Sequence, residues 1–303
     1  MIKYTIKKRI TPFYYIIPMI ILLLSFNAYP ILSGIYLSFT NLSYADRSGS
    51  FAGLNNYVEV LKGIRFWKVL INSVGYSFLS ILLVALVGLF LASLLNRDMP
   101  LKRVLRTLNV LPWVAPPAMI AIVFRWLLSK NYSPINDILL KLHILNKPID
   151  WLGNINIGVR PFTLPMICLV LIYVWIAYPF ASIMFLSGMQ SIPEDIFDAA
   201  KVDGASNMQQ FFYITLPSLK PVITVTLSLL FVWTFQYFNI SYMLTGGGPR
   251  GYTELLSILI YNDSFKNNES SRAASIGILM TLFLILPTFY YIRTTYIQIK
   301  GER

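Results

Sequence analysis

The sequence predicts an all-α membrane protein with six transmembrane helices. Three observations carry that expectation. Of 303 residues, 56% are hydrophobic and 13% charged, whereas soluble domains carry about 25% charged residues. The mean hydropathy is +0.63. The charges fall between long uncharged windows, each able to supply most of the roughly 20 apolar residues that a spanning helix needs. Such a chain has too little charge to cover a soluble globule, and its apolar content excludes disorder.

The uncharged windows run 10–45, 69–96, 107–124, 161–193, 221–249 and 273–292. They place helix cores near 13–39, 72–95, 107–128, 163–187, 221–245 and 273–293. The first core follows Lys3, Lys7, Lys8 and Arg9, as a signal peptide would. Its apolar run is too long for a cleaved h-region, so it reads as a retained anchor. The third core holds Pro112, Pro116 and Pro117, which favour kinks. The window 204–219 contains Asn207, Gln209, Gln210 and Pro217 and is too polar to span.

Orientation follows from the short connections. Four positive charges lie within residues 3–9, and Arg97, Lys102, Arg103 and Arg106 crowd the loop after the second core. Placing both inside predicts an N-in, C-in topology. The loops 40–71, 129–162 and 246–272 then lie outside, and the loop near 188–220 lies inside. No connection is long enough for a soluble domain of ordinary size.

Several function classes are excluded. The net charge of +12 is explained by anionic lipid at cytoplasmic loops, without nucleic acid. Cys168 and His143 are the single Cys and the single His. An internal disulfide and a Cys/His metal cluster are therefore both impossible. Catalysis of the Ser-His-Asp type would rest on one loop histidine, with no nucleophile-elbow motif beside it. Ion-coupled carriers keep ionisable residues inside the bilayer, and the six windows hold none. Arg125, at the outer end of the third core, reads as an interfacial anchor or a vestibule residue. An energy source would have to be external.

Residues 191–221 read SIPEDIFDAAKVDGASNMQQFFYITLPSLKP. Ser191 and Glu194 have the spacing of a capping box, and Pro193 is tolerated in a first helical turn. Glu194 and Asp195 suit the positive end of the helix dipole. Ile196, Ala199 and Ala200 follow helical spacing, and Gly204 fits a helix stop. A second box, Ser206 with Gln209, starts another short helix, which Pro217 is expected to end. A lipid-binding interfacial hairpin would be rich in Lys and Arg. Here Glu194, Asp195, Asp198 and Asp203 face Lys201 alone, which favours a protein partner.

The fifth core carries Leu230, Trp233, Thr234, Tyr237 and Ser241 at i, i+3, i+4, i+7 and i+11, one helical stripe. Hydroxyls at mid-depth favour the bundle interior over lipid. Aromatic faces with hydroxyls suit a neutral sugar. Ordinary helix packing with interfacial aromatics is the other reading.

Asp198-Ala199-Ala200, Asp203-Gly204-Ala205 and Ile214-Thr215-Leu216-Pro217 together resemble the EAA loop of bacterial ABC importer permeases. Phe51-Ala52-Gly53-Leu54-Asn55-Asn56-Tyr57, Leu111-Pro112-Trp113 and Leu244-Thr245-Gly246-Gly247-Gly248-Pro249 resemble signatures of the carbohydrate-uptake permeases of maltose/glycerol-3-phosphate type. The resemblance spans nearly the whole chain and implies one permease domain, 1–303, with the type I ABC importer permease fold. It implies a multi-pass subunit of the bacterial cytoplasmic membrane, no enzyme itself, translocating a sugar. It implies a second homologous permease subunit as heterodimer partner, two ATPase subunits that bind ATP and Mg, and an extracytoplasmic sugar-binding protein. No cofactor would sit in this chain.

The family's pattern assigns ATPase coupling to Glu194, Asp198, Ala199, Ala200, Asp203, Gly204, Leu216 and Pro217. Asp198 keeps the family's carboxylate with a reach one methylene shorter. Sugar contacts would come from Leu230, Trp233, Thr234 and Tyr237, and from Ile176, Ala177 and Phe180 on the preceding helix. These positions are more aromatic and less amide-rich than in maltose permeases, implying a stacked substrate. The alternatives from other classes are an ATP-independent carrier or channel, which would take up substrate alone, and a membrane enzyme, which would turn one over.

Overall fold

The computed structural model describes residues 15–42 and 49–301, with side chains described as far as residue 285. The basic residues 3–9 and the start of the first core lie outside the described residues. The chain is mostly helical and forms two compact units.

The first unit holds the described residues up to Phe66 together with Ile260–Leu282. Helix α1 spans Tyr15–Ser38, and its most apolar stretch is 0% buried within the chain. A long apolar helix with no protein cover is what a bilayer accommodates. Its end is tied by polar bonds. Asn56, on α2 (Asn55–Lys62), donates to the Ser38 and Thr40 carbonyls at 2.9 and 2.8 Å. The Ser275 hydroxyl donates to the Ser38 carbonyl at 3.2 Å. Asp263 lies fully buried, with Arg65 and Arg272 each at 3.7 Å.

The second unit holds Trp67–Leu259 and the chain from Phe283 on. Its helices are α3 (Ile64–Asn96, which begins before Trp67), α4 (Lys102–Val114), α5 (Pro117–Leu127) and α6 (Pro134–Lys141). A two-residue hairpin, Gly158–Val159 with Phe162–Thr163, leads into α7 (Leu164–Gln190). Next come α8 (Glu194–Val202), α9 (Asn207–Ser218), α10 (Lys220–Phe235), α11 (Asn239–Thr245) and α12 (Leu256–Tyr261). Helix α13 is Ser270–Gly301.

Helix α7 is central: 61% of its most apolar stretch is buried, against 28% for α3. Small residues let the helices close. A Cβ on Gly88 of α3 would stand 2.8 Å from the Ala181 Cβ of α7, so only glycine permits that approach. Met166, Phe185, Leu219, Leu230 and Ile258 fill the core around it.

Among the described residues three helices, α1, α3 and α7, are individually long and apolar enough to span, and two bent pairs raise the number to as many as five. The third predicted core, 107–128, is broken: α4 and α5 meet at 90°. A residue before proline is pushed out of the helical region, and Ala115 and Pro116 take ψ of 134° and 130°. The fifth, 221–245, is also interrupted. Helix α10 ends at Phe235, where Tyr237 N–H turns back three residues to the Thr234 carbonyl. Neither proline nor glycine marks this break.

Candidate functional site

At the end of α7 the chain turns into the acidic segment. The predicted first capping box does not form. Pro193 is the N-cap and offers no side-chain bond, while the Ser191 hydroxyl donates back to the Gly188 carbonyl at 2.8 Å. Ser191 still belongs to the last turn of α7, so its hydroxyl is committed before α8 begins. Glu194 and Asp195 do occupy the first turn of α8.

The end of α8 follows expectation. Gly204 has φ +79°. Its N–H donates to the Lys201 carbonyl, and the Ala205 N–H reaches the Ala200 carbonyl, at 3.0 and 2.9 Å. This is the paired closure of a left-handed helix cap. The second capping box also forms: Ser206 N–H donates to Gln209 Oε1 at 2.8 Å, and Gln209 N–H to Ser206 Oγ at 3.4 Å. Pro217 does not end α9. A wide turn over Phe211–Thr215 precedes it, and the chain bends by 65° only beyond Ser218.

Most of this segment faces outward. Glu194, Asp198, Ala199, Asp203, Gly204 and Pro217 are exposed, with Ala200 and Leu216 half-buried. Lys201 Nζ donates to Asp198 Oδ1 at 2.8 Å, and that bond raises the lysine pKa above its ordinary value. Apolar groups lie open beside the acids: Val202 is 88% exposed, and Ile196, Met208, Phe212 and Tyr213 are exposed too.

The sugar-contact candidates lie on α7, on α10 and just beyond it. Phe180 and Trp233 meet with ring centroids 4.8 Å apart, and Trp113 of α4 lies 6.0 Å from Phe180. Trp233 keeps 39% of its surface open, and Phe180 and Ile176 are half-buried. Ala177, Leu230 and Thr234 are buried. The Thr234 hydroxyl is spent on the Leu230 and Phe231 carbonyls, each at 2.9 Å. Tyr237 sits in the break after α10, so the expected stripe is not one continuous helical face. It packs instead on Tyr173, 4.7 Å between centroids, and Tyr173 on Tyr76 at 5.9 Å.

Trp113, Tyr76 and Tyr173 are members of this seam that the sequence reading missed. A signal existed. Asn72, Ser73, Tyr76, Ser77 and Ser80 recur along one face of α3, and all are buried. The hydroxyls of Tyr76, Ser77, Ser80, Tyr237 and Ser241 are enclosed, and that of Tyr76 lies within bonding reach of Ser80 and Ser241. Buried hydroxyls are costly unless they bond one another or another polar group.

The glycine loop after α11 is a rigid part of the same unit. Gly246 and Gly247 have φ +59° and +89°. The fully buried Thr253 donates to Thr245 Oγ1 at 2.8 Å and also to the Gly248 carbonyl. Asn72 Nδ2 holds the Gly251 and Glu254 carbonyls, each at 3.0 Å.

Residues 84–293 match the family described as binding-protein-dependent transport system inner membrane component. The chain is 32% identical over 278 residues to the trehalose/maltose transport system permease protein MalF of Thermococcus litoralis, covering 92% of this chain and 91% of that one. It is 32% identical over 283 residues to the diacetylchitobiose uptake system permease protein DasB of Streptomyces coelicolor, covering 90% and 83%. Its fold is similar to a chain in the crystal structure of a bacterial ABC transporter that imports the acidic polysaccharide alginate. There the TM-score is 0.83 at 20% identity, covering 98% of this chain and 99% of that one.

Proposed function

Because the chain belongs to the binding-protein-dependent transport system inner membrane component family, we propose that it is the sugar-translocating permease subunit of an ATP-driven importer. In this reading it crosses the cytoplasmic membrane six times as one permease domain, N-in and C-in. The bent pair α4 with α5 forms the third span, α10 with α11 the fifth, and α13 the sixth. It pairs with a second, homologous permease. Two ATPase subunits hold ATP and Mg, so no cofactor sits in this chain, and a sugar-binding protein docks outside.

The observation that carries the reading is the exposed acidic segment α8–α9 at one end of the most buried helix. Its carboxylates and open apolar side chains suit a groove in an ATPase subunit, and α7 and α10 lead directly from it to the aromatic seam. Closure of the ATPases would push Asp198, Ala199, Ala200 and Gly204, with Glu194, Asp203, Leu216 and Pro217 completing the contact. Helix packing would then switch between inward- and outward-facing states, each a separate stable arrangement. Sugar would stack on Trp233 and Phe180 beside Ile176, Ala177 and Leu230. Tyr237, with the hydroxyls of Tyr76 and Ser241 once they part from each other, would take its hydrogen bonds. The hydroxyl of Thr234 is committed to its own helix, so that residue shapes the wall. The sugar transport named for the two relatives supports this substrate class.

The test is uptake by the assembled transporter in liposomes, with trehalose, maltose and diacetylchitobiose as probes. Uptake is expected to need the external binding protein and a hydrolysis-competent ATPase. Equal uptake by the permease alone, without ATP, would overturn the reading in favour of a secondary carrier.

A further inference from the structure

We propose a second sugar subsite at the end of the permease opposite the coupling segment, with Arg125 and Asp150 as its polar clamp. The proposal rests on the sugar reading above and adds a stopping place on the way to the aromatic seam. A cleft of about 410 Å³ opens there, lined among others by Arg125, Ser129, Asp150, Leu152, Thr245 and Pro249. That volume lies in the range of small-ligand pockets.

Chain topology sets its position. Asp150 precedes α7 and the coupling segment follows it, so the 27 residues of α7 separate the two by about 40 Å. Three segments distant in sequence converge on the cleft: the end of α5, the turn 150–153, and the glycine loop. Two of them are fixed from behind. Asp150 Oδ1 accepts from Gly153 N–H at 2.9 Å, and Thr253 ties Thr245 to the Gly248 carbonyl. Hydrogen bonds within the chain thus hold two of its three walls.

Its chemistry is that of a polyol site. A guanidinium offers paired donors, a carboxylate and the Gly248 carbonyl offer acceptors, and the Ser129 hydroxyl offers a donor; the Thr245 hydroxyl is spent on the Ser241 carbonyl and shapes the wall. Leu128, Leu152, Leu244 and Pro249 supply apolar surface for the C–H face of a sugar ring. A site for a purely anionic ligand would not place Asp150 in its wall.

Cys168 is buried and is the sole native cysteine of this chain, so label on an introduced cysteine is read selectively on this subunit after the subunits are separated by electrophoresis. In the purified full complex without binding protein, Ser129→Cys reports on the cleft, and Trp113→Cys, 6.0 Å from Phe180 and exposed, reports on the aromatic seam with Phe180 and Trp233 intact. Maleimide labelling is followed while trehalose, maltose or diacetylchitobiose is titrated. At least one probe is expected to slow labelling at Ser129→Cys by roughly fivefold or more at saturation. Adding Arg125→Gln with Asp150→Asn should abolish that protection while leaving protection at Trp113→Cys. Protection at Trp113→Cys alone overturns the subsite and leaves the sugar reading standing. Protection at neither position overturns both. Protection at Ser129→Cys that survives the double substitution overturns the clamp. Should Ser129→Cys fail to assemble, Leu152→Cys reads the same cleft with the same outcomes.

Discussion

Gly204 offers the sharpest test of the coupling segment. Its φ of +79° closes α8, and a Cβ added there would meet nothing within 4 Å. Any cost of a side chain is therefore conformational and not steric within this chain. A left-handed position costs an ordinary L-residue roughly 1–2 kcal/mol, which is a factor of about 5–30 in population. Gly204→Val should lower ATP-driven uptake by at least that factor, because the β-branch stiffens the backbone further. Gly204→Asn should retain most uptake, since asparagine tolerates the left-handed region. Complex assembly, read by co-purification, should persist in both variants. Normal uptake in Gly204→Val would refute the coupling role. Equal loss in Gly204→Asn and Gly204→Val would refute the conformational argument and point to crowding against the partner.

Three further outcomes are expected. Trp233→Ala should cut uptake about tenfold or more, one lost stacking face being worth on the order of 1.4 kcal/mol or above. Its thermal midpoint should fall less than that of Phe185→Ala, whose fully enclosed ring costs about 3–5 kcal/mol to delete. Thr253→Val leaves the Gly248 carbonyl without its donor, and the Thr245 hydroxyl with only the longer bond from Gly247 N–H. It should destabilise by about 1–3 kcal/mol and quicken proteolysis at the glycine loop. Asp263 has its pKa raised by burial, against the opposing pull of Arg272 and Arg65. A carboxyl with a raised folded pKa binds its proton more tightly folded than unfolded. Its stabilising contribution is thus full below the ordinary carboxylate value and is lost as pH rises through the folded value. The thermal midpoint should fall across that window in the wild type, and Asp263→Asn should flatten this limb. An unchanged limb in Asp263→Asn would remove Asp263 as its source.

What the sequence revealed and what it hid have physical causes. Local backbone chemistry was legible: Gly204 ends α8, and Ser206 with Gln209 caps α9, because those effects depend on neighbours within one turn. Ser191 misled because spacing identifies a capping box but not whether the preceding helix still owns the hydroxyl. Pro217 misled because a wide turn upstream accommodated the missing N–H. The apolar windows located α1, α3 and α7 well, since hydropathy measures solvent preference and those helices are continuous.

Hydropathy is blind to bends. The break between α4 and α5 was foreshadowed by Pro116 and Pro117, yet the one after Phe235 has no such mark and arises from packing. That hidden break divides the proposed site. An unbroken helix would hold Trp233 and Tyr237 on one face. The break lets Trp233 pair with Phe180 while Tyr237 turns to Tyr173, one helical stretch earlier on α7. One predicted stripe becomes two neighbouring surfaces, an open stacking face and an enclosed hydroxyl seam. A guest with flat apolar faces and polar edges fits both together better than it fits either alone. The same distinction explains why the polar face of α3, with Tyr76 and Ser80, gains meaning only from the structure. A stripe of hydroxyls in one apolar helix shows that partners are needed, and only tertiary packing shows which groups converge on them.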